Sequence, residues 1–366
     1  MKFQYQMPVK VLFGAGCVAE NRGLLASLGK KALIMTGRSS AKKNGSLADV
    51  TAALLAEGRA YLLFDRVEEN PRAETIAQAV ELAREAGCDF VIGIGGGSPM
   101  DAAKAAALLL ANPQRGTECF LQREELPRAP LALLPTTAGT GSEVTQYSIV
   151  TFPEKHTKMS IFHTLFADLA FVDAGYMAAL PVEVTRNTAV DALTHLIEAY
   201  LSKKANFMSD QLAETGFSLF RDCLPCLRAG AFAAADRERL MLCSMLAGMT
   251  IAQAGTSLPH GLGYALTVDK GIPHGRANGI LTPAYLDCFA DKTRVNRLLG
   301  LLGMDSIAAL AEFLQAVLRP REAFTAADVA RYTAQFMENP AKMAAHPEPM
   351  DGAGIEKIYT EALLKG

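Results

Sequence analysis

The chain has 366 residues, half of them hydrophobic and a fifth charged, with a formal net charge of -2 and no tryptophan. That length suffices for two domains with cores of their own, and the near-neutral balance gives no electrostatic footing for nucleic acid or an anionic membrane. The opening MKFQYQMPVKVLFG lacks an apolar signal core, no apolar run approaches the roughly 18 residues of a spanning helix, and seven cysteines, an odd number, read as reduced thiols, so a soluble cytoplasmic protein is expected.

In chain order, KALIMTG from Lys31 is an apolar strand ending in glycine, followed by a helical pattern from Leu47 to Glu57 and a short apolar run from Ala60 to Phe64. A helical pattern from Thr75 to Ala86 precedes the stretch FVIGIGGGSPMDAAKAAALLLAN, which runs from Phe90 to Asn112. Phe90 to Ile94 is apolar throughout, as suits a parallel strand buried on both faces. Ser98, Pro99 and Asp101 spell a helix start with a capping box. Gly95, Gly96 and Gly97 clear the turn between strand and helix, so a phosphate can approach bare N–H groups at the positive helix end. A tight turn without a ligand is the plainer alternative.

A second turn, Pro135-Thr136-Thr137-Ala138-Gly139-Thr140-Gly141-Ser142, follows the strand Leu131 to Leu134 and therefore sits at its carboxyl end, where open α/β sheets bind ligands. Its hydroxyls suit phosphate or ribose, or else satisfy their own backbone. The segments Val144 to Thr151 and Leu169 to Asp173 complete the strand-rich part. Alternating short apolar runs and helices predict a mostly parallel sheet covered on both faces. Where the Lys31 strand ends, Thr36-Gly37-Arg38-Ser39-Ser40 with Lys42 and Lys43 offers cations and hydroxyls but no carboxylate. That composition favours the 2′-phosphate of NADP over the free ribose of NAD, unless the cations are simply a solvated face.

Beyond Leu180-Pro181 the β-branched runs disappear. Helical spacing covers Val184 to Ser202, Ser209 to Cys226, Asp236 to Ala254, Asn278 to Phe289, Ile307 to Leu318 and Ala326 to Phe336. A loop before a last helix, Ile355 to Leu364, closes the chain. The expected division is an α/β nucleotide-binding domain over 1–180 and an all-helical domain over 181–366. In the helical half, Asp191 and His195 stand at i and i+4 on one helix face. His260 and His274 each lie between a proline and a glycine, so each begins or ends an element. One carboxylate and three imidazoles suit Zn²⁺ or Fe²⁺, although a single buried histidine is more often a packing residue. His156, His163 and His346 show no comparable arrangement. Cys223 and Cys226 form a lone CxxC in a helical pattern, which reads as structural rather than as a redox pair.

Taken together, GGGSPMDAAK, PTTAGTGSEVT, DALTH and GIPHG resemble the iron-containing, group III alcohol dehydrogenases over nearly the whole chain. The resemblance implies a dehydroquinate-synthase-like fold: a Rossmann-like α/β nucleotide domain, then an all-α domain, with the active site in the cleft between them. It implies Asp191, His195, His260 and His274 as ligands of Fe²⁺ or Zn²⁺. Gly96, Gly97, Ser98, Thr136, Thr137 and Thr140 become contacts of NADP or NAD, and Asp101 lies in the same cradle. Lys158 matches a lysine that reaches the nicotinamide side, and Asn70 an asparagine beside the adenine side. Gly37 and Ser39 fall where NAD-preferring members carry an aspartate. Tyr264 stands where many members place a second histidine that passes a proton, and a phenol of pKa about 10 is a poor base at neutral pH. The function implied is hydride transfer between NADP(H) and a small primary alcohol or its aldehyde, by a homodimer or higher homo-oligomer. A metal- and NAD-dependent cyclase or lyase of the dehydroquinate-synthase type, or a non-catalytic nucleotide-binding protein, are the alternatives.

Overall fold

The structure is a computed structural model that describes residues 2–155, 157–319, 322–338 and 340–365. The chain divides into two compact units, one built on a sheet (Met7–Thr137 with Gly141–Ala179) and one of helices (from Leu180 onward, joined by residues up to Gln6 and by Ala138–Thr140).

The sheet unit begins with β1 (Lys10–Phe13), two short helices α1 (Cys17–Glu20) and α2 (Arg22–Ala26), β2 (Lys31–Thr36), α3 (Ser40–Lys43) and α4 (Ser46–Ala56). It continues through β3 (Ala60–Phe64), α5 (Ala73–Glu85), β4 (Phe90–Gly95), α6 (Gly97–Ala111) and β5 (Leu131–Pro135). The hairpin β6 (Ile149–Phe152) and β7 (Thr157–Ser160) and the strand β8 (Leu169–Val172) complete it. Six strands form one sheet in the order β1-β8-β5-β4-β2-β3, and every pair in it is parallel. Parallel strands need helical crossovers on both faces, so β4 and β5 are buried throughout. Ile34, Ile92, Ile94, Leu134 and Phe171 of the strands pack with Leu25, Val50 and Leu54 of the helices on one face. Two short edge elements, β1 and β7, have no signature in the sequence. The former is held by its register against β8, with Lys10 to Phe13 opposite Leu169 to Val172.

From β2 the chain passes to β3 on one side and then returns to β4 on the other. The carboxyl ends of β2 and β4 therefore flank a topological switch point, where open α/β sheets leave a crevice. The alanine-rich α6 lies close on this sheet: a Cβ at Gly93 would fall 2.7 Å from that of Ala103 and 2.8 Å from the Leu133 side chain. Gly95 has a φ of +151°, and a side chain there would strike Pro99 at 2.7 Å.

The helical unit contains α7 (Val182–Tyr200), α8 (Phe207–Ala229), α9 (Ala234–Ala254), α10 (Leu258–Lys270), α11 (His274–Asp287), α12 (Thr293–Leu301), α13 (Ile307–Leu318), α14 (Ala326–Glu338) and α15 (Gly352–Leu364). Asn206 caps α8 through a capping box with Ser209, and Gly230 ends it in the left-handed region. The orphan carbonyls of that end, Leu227 and Arg228, accept from the buried Arg186 guanidinium at 2.8 and 2.7 Å. At the centre lies α7, buried from Thr185 to Tyr200 except for half-exposed Thr188. Leu196 packs over Gly216 of α8, and the Tyr200 ring stands edge-on to Phe217 with centroids 5.6 Å apart. On α11, Gly275 and Gly279 remove side chains that would collide with Asn187, Asp191 and Val190 of α7, which brings His274 to the same level as Asp191. Among the described residues no single helix is long and apolar enough to cross a membrane.

Candidate active site

The two glycine- and hydroxyl-rich turns of the sheet unit meet in space. The Thr136 N–H donates to the Gly95 carbonyl at 2.8 Å, and a Cβ at Gly96 would lie 3.3 Å from Thr137 Oγ1. The helix α6 starts at Gly97, with Gly96 as its uncapped N-cap, so its first N–H groups remain available to an anion. Ser98 therefore lies inside the helix and does not cap it; its hydroxyl accepts from the Asn70 N–H at 3.1 Å. Asn70 itself adopts a φ of +57°. Its side-chain oxygen takes a hydrogen bond from Lys158 Nζ, so Asn70, Ser98 and Lys158 form one connected group beside the turn.

Asp101 is turned away from the cap it spells. Its carboxylate accepts from Ser142 Oγ at 2.6 Å and from the Ile149 N–H at 3.1 Å. Lys104, one turn on, is fully buried and donates to Ser142 Oγ, Thr145 O and Tyr147 O at 2.9, 2.9 and 2.7 Å. Burial lowers the Lys104 ammonium to about 8, against the pull of Asp101 and Glu143. Burial likewise raises Asp101 and lifts Glu143 to about 7. These groups stitch α6 to the segment 142–149.

At the end of β2, Gly37 is half-buried, whereas Arg38, Ser39, Lys42 and Lys43 are exposed. Lys42 pairs with Asp65 at the end of β3, so one of the cations is already engaged with a carboxylate. Phe152 packs edge-on to Phe120 in the interior and is not free to line a pocket, and the exposed Phe162 lies beneath the Arg123 guanidinium.

In the helical unit the ligand atoms of Asp191, His195 and His260 lie within 4.8 Å of one another, and all three residues are buried. The rings of His195 and His260 stack with centroids 4.3 Å apart. His195 Nδ1 faces the Gly139 carbonyl at 3.3 Å, and His260 Nδ1 faces the Glu198 carboxylate. Both Nδ1 atoms being engaged, Nε2 is the atom each ring has left for a ligand. His260 Nε2 is buried without a hydrogen-bond partner and stands 3.6 Å from Asp191 Oδ1. His260 lies in the first turn of α10, and His274 is the first residue of α11. The His274 ring is 5.2 Å from that of His260, its Nε2 3.2 Å from Asn278 Nδ2, and Asn278 also donates to Asp191 Oδ1 at 3.2 Å. Three of the four expected donors thus converge, with the fourth alongside. Half-buried Tyr264, one turn after His260, stacks on His274 at 5.5 Å.

The electrostatics suit a divalent cation. Burial raises the Asp191 carboxyl, but the surrounding imidazoles outweigh it and hold it well below the usual carboxylate range. Burial and the neighbouring His260 press His195 down to about 4. Burial also pulls on His260, yet Glu198 and Asp191 raise it to about 9. Two carboxylates against one imidazolium leave a buried negative charge, and metal ligation would displace that proton. Glu198 is absent from the residues singled out in the sequence, although its spacing of i+7 from Asp191 and i+3 from His195 puts it on their helix face; here it is fully buried.

The other histidines lie apart from this cluster. His163 Nε2 meets the Cys119 carbonyl at 2.8 Å, His346 packs between Tyr285 and Phe289, and His156 lies outside the described residues. Cys223 and Cys226 are free and buried within α8, the Cys226 thiol donating to the Cys223 carbonyl at 3.0 Å.

Comparison with known proteins covers both units. The family model for iron-containing alcohol dehydrogenase matches residues 8–174, and that for the Fe-containing alcohol dehydrogenase family, C-terminal, matches residues 185–363. The chain is 35% identical over 285 residues to the probable alcohol dehydrogenase EutG of Escherichia coli, covering 77% of this chain and 72% of that one. It is 31% identical over 299 residues to the NADPH-dependent butanol dehydrogenase of Clostridium saccharobutylicum, covering 80% and 76%. An iron-containing alcohol dehydrogenase structure from Thermotoga maritima superposes with a TM-score of 0.91 at 37% identity, covering 99% of each chain.

Proposed function

Because the chain belongs to the iron-containing alcohol dehydrogenase family, we propose that it interconverts small primary alcohols and their aldehydes by reversible hydride transfer with NADP(H), using a divalent ion held by Asp191, His195, His260 and His274. The observation that carries this reading is the convergence of three buried ligand atoms within 4.8 Å, with both Nδ1 atoms already engaged. Iron is the proposed ion, and zinc fits the same donors. When bound, the ion supplies a Lewis acid toward the substrate oxygen.

The chain's own part is to hold and to orient. The Gly139 carbonyl and Glu198 fix the two imidazoles, and Asn278 steadies Asp191 and His274. Tyr264 stacks on His274 and is proposed to position substrate, its phenol being a poor base at neutral pH. In the sheet unit, Gly96, Gly97, Ser98, Thr136 and Thr137 are proposed to cradle the pyrophosphate, with Thr140 on the same turn and Asn70 and Lys158 beside it. Asp101 is proposed to hold that cradle in place through Ser142 and Ile149. Arg38 and Ser39, with no acidic side chain at Gly37, support NADP as the preferred cofactor.

The test is anaerobic purification with elemental analysis, followed by NADPH-linked reduction of an aldehyde panel. The expected result is one equivalent of iron or zinc, turnover of short aldehydes, and loss of turnover on chelation with recovery on metal return. Undiminished turnover after complete metal removal would overturn the reading.

A further inference from the structure

Glu198 fixes the His260 imidazole without being one of the proposed ligands. It lies two turns along α7 from Asp191, and it is fully buried. One carboxylate oxygen, Oε2, accepts from the Ser257 N–H at 2.6 Å and from the His260 N–H at 3.4 Å. The other, Oε1, faces His260 Nδ1. Ser257 is the residue before α10, and the three donors all belong to the start of that helix. A carboxylate is favourable at a helix N-terminus, where N–H groups lack intrahelical partners. Metal ligation takes one proton from the His260 imidazolium and leaves one; an ionised carboxylate accepts and does not donate, so the proton that remains is held on Nδ1 beside Glu198. Nε2, 3.6 Å from Asp191 Oδ1, is then the nitrogen that gives up its proton to a metal.

We propose that Glu198 is the positioning residue of the metal centre, fixing both the place of His260 at the start of α10 and the tautomer that leaves Nε2 open to the ion. The inference rests on the reading of Asp191, His195 and His260 as ligands. Carboxylate partners of this kind orient metal-binding histidines, and their loss weakens metal affinity roughly 10- to 100-fold.

Glu198→Gln tests the tautomer directly, because an amide has one accepting oxygen and one donating nitrogen. The oxygen is claimed by the Ser257 and His260 N–H groups, so the amide nitrogen faces His260 Nδ1. The ring must then accept there and carry its proton on Nε2, against the metal. Metal-free wild type, Glu198→Gln, Glu198→Asp and His260→Ala are each titrated with Co²⁺, reading the visible absorption of the bound ion and the calorimetric affinity. Glu198→Gln is expected to bind on the order of 10- to 100-fold more weakly than wild type. Glu198→Asp, which keeps the charge and the accepting oxygens, should recover most of the affinity. His260→Ala should lose the wild-type spectrum.

Wild-type affinity and spectrum in a folded Glu198→Gln variant would overturn the role of Glu198 while leaving the ligand assignment standing. A wild-type protein that binds no Co²⁺ would overturn both. If Glu198→Gln does not fold, histidine ¹⁵N resonances of the Zn²⁺-loaded wild type decide instead. Protonated Nδ1 on His260 supports the proposal, and protonated Nε2 overturns it.

Discussion

Each unit buries a cluster of opposite charges, and the two are built to opposite ends. In the sheet unit, Lys104 spends its protons on Ser142, Thr145 and Tyr147, while Asp101 accepts from Ser142 and Ile149. Its polar groups face one another and tie α6 to the neighbouring segment. In the helical unit, His195 and His260 are held through Nδ1 by the Gly139 carbonyl and Glu198, Asn278 donates to Asp191 Oδ1, and the ligand atoms of Asp191, His195 and His260 come within 4.8 Å of one another. Buried charge alone is therefore not the mark of a site. The difference lies in whether the hydrogen bonds close the group or aim it.

The largest expected effect separates these designs most cleanly. His195→Ala removes one of the converging donors without opening the closed cluster. Lewis-acid stabilisation is worth several kcal/mol, so kcat/KM for aldehyde reduction should fall on the order of 10³-fold or more. NADPH affinity should stay within a few-fold of wild type, and the loss of a buried ring stacked on His260 should lower the melting temperature of the metal-free protein no more than an ordinary large-to-small core substitution does. Activity that survives would remove His195 from the ligand set. A joint loss of cofactor binding and stability would erase the contrast.

Glu143 provides the next test, since its Oε1 is buried with no hydrogen-bond partner, whereas both Glu198 oxygens are engaged. Burial raises Glu143 to about 7 from an ordinary value near 4.5. A raised carboxyl favours the folded state below the ordinary value, and that contribution is lost as pH rises through the folded value. Between roughly pH 4.5 and 7 the folded protein holds the extra proton, so this group makes stability decline on the order of 3 kcal/mol over the interval. Glu143→Gln should flatten the decline, measured by denaturant titration at several pH values, with its gain in stability growing from about pH 4.5 and complete above about pH 7. An unchanged slope would mean that Glu143 is not the group titrating.

The two regions also differ in what the sequence discloses. The sheet and most helices follow periodicity, and Ile307–Leu318 has the expected bounds. The helix Leu258–Lys270 does not, because Pro259, Gly261 and Gly263 interrupt its pattern. Gly263 is needed there since the Asn278 side chain fills the place of a Cβ. The capping signal at Ser98 and Asp101 is misleading for a related reason. Both side chains have tertiary partners, Asn70 for one and Ser142 with Ile149 for the other, and the helix begins at Gly97. Asp191 and His195 are legible because i and i+4 share a face, and the Pro-His-Gly settings put His260 and His274 where an element begins or ends, which in both cases is the first turn of a helix. Glu198, at i+7 from Asp191 and i+3 from His195, shares their face and could have been read with them. What the sequence does not disclose is its burial, its partner at the start of α10 and the direction of the Gly139 carbonyl, all of which arise only from packing.

The smallest expected effect bears on the exposed rim of the sheet unit, where no cluster is buried. Gly37 ends the stretch beyond β2 at the switch point, and a Cβ there would lie 3.7 Å from the Val67 carbonyl, an ordinary contact. Its φ is not among the positive values, so Gly37→Asp should fold without strain. The new carboxylate would repel a 2′-phosphate and accept from a free ribose hydroxyl. The ratio of kcat/KM with NADPH to that with NADH should fall about tenfold, equivalent to roughly 1.4 kcal/mol, with metal content unchanged. The shift should shrink as salt is raised, because the site is exposed and screened. A ratio that does not move would take the 2′-phosphate away from this turn and leave Arg38 and Lys43 as a solvated face, with the sheet unit's charge recognition confined to the turn at Gly96.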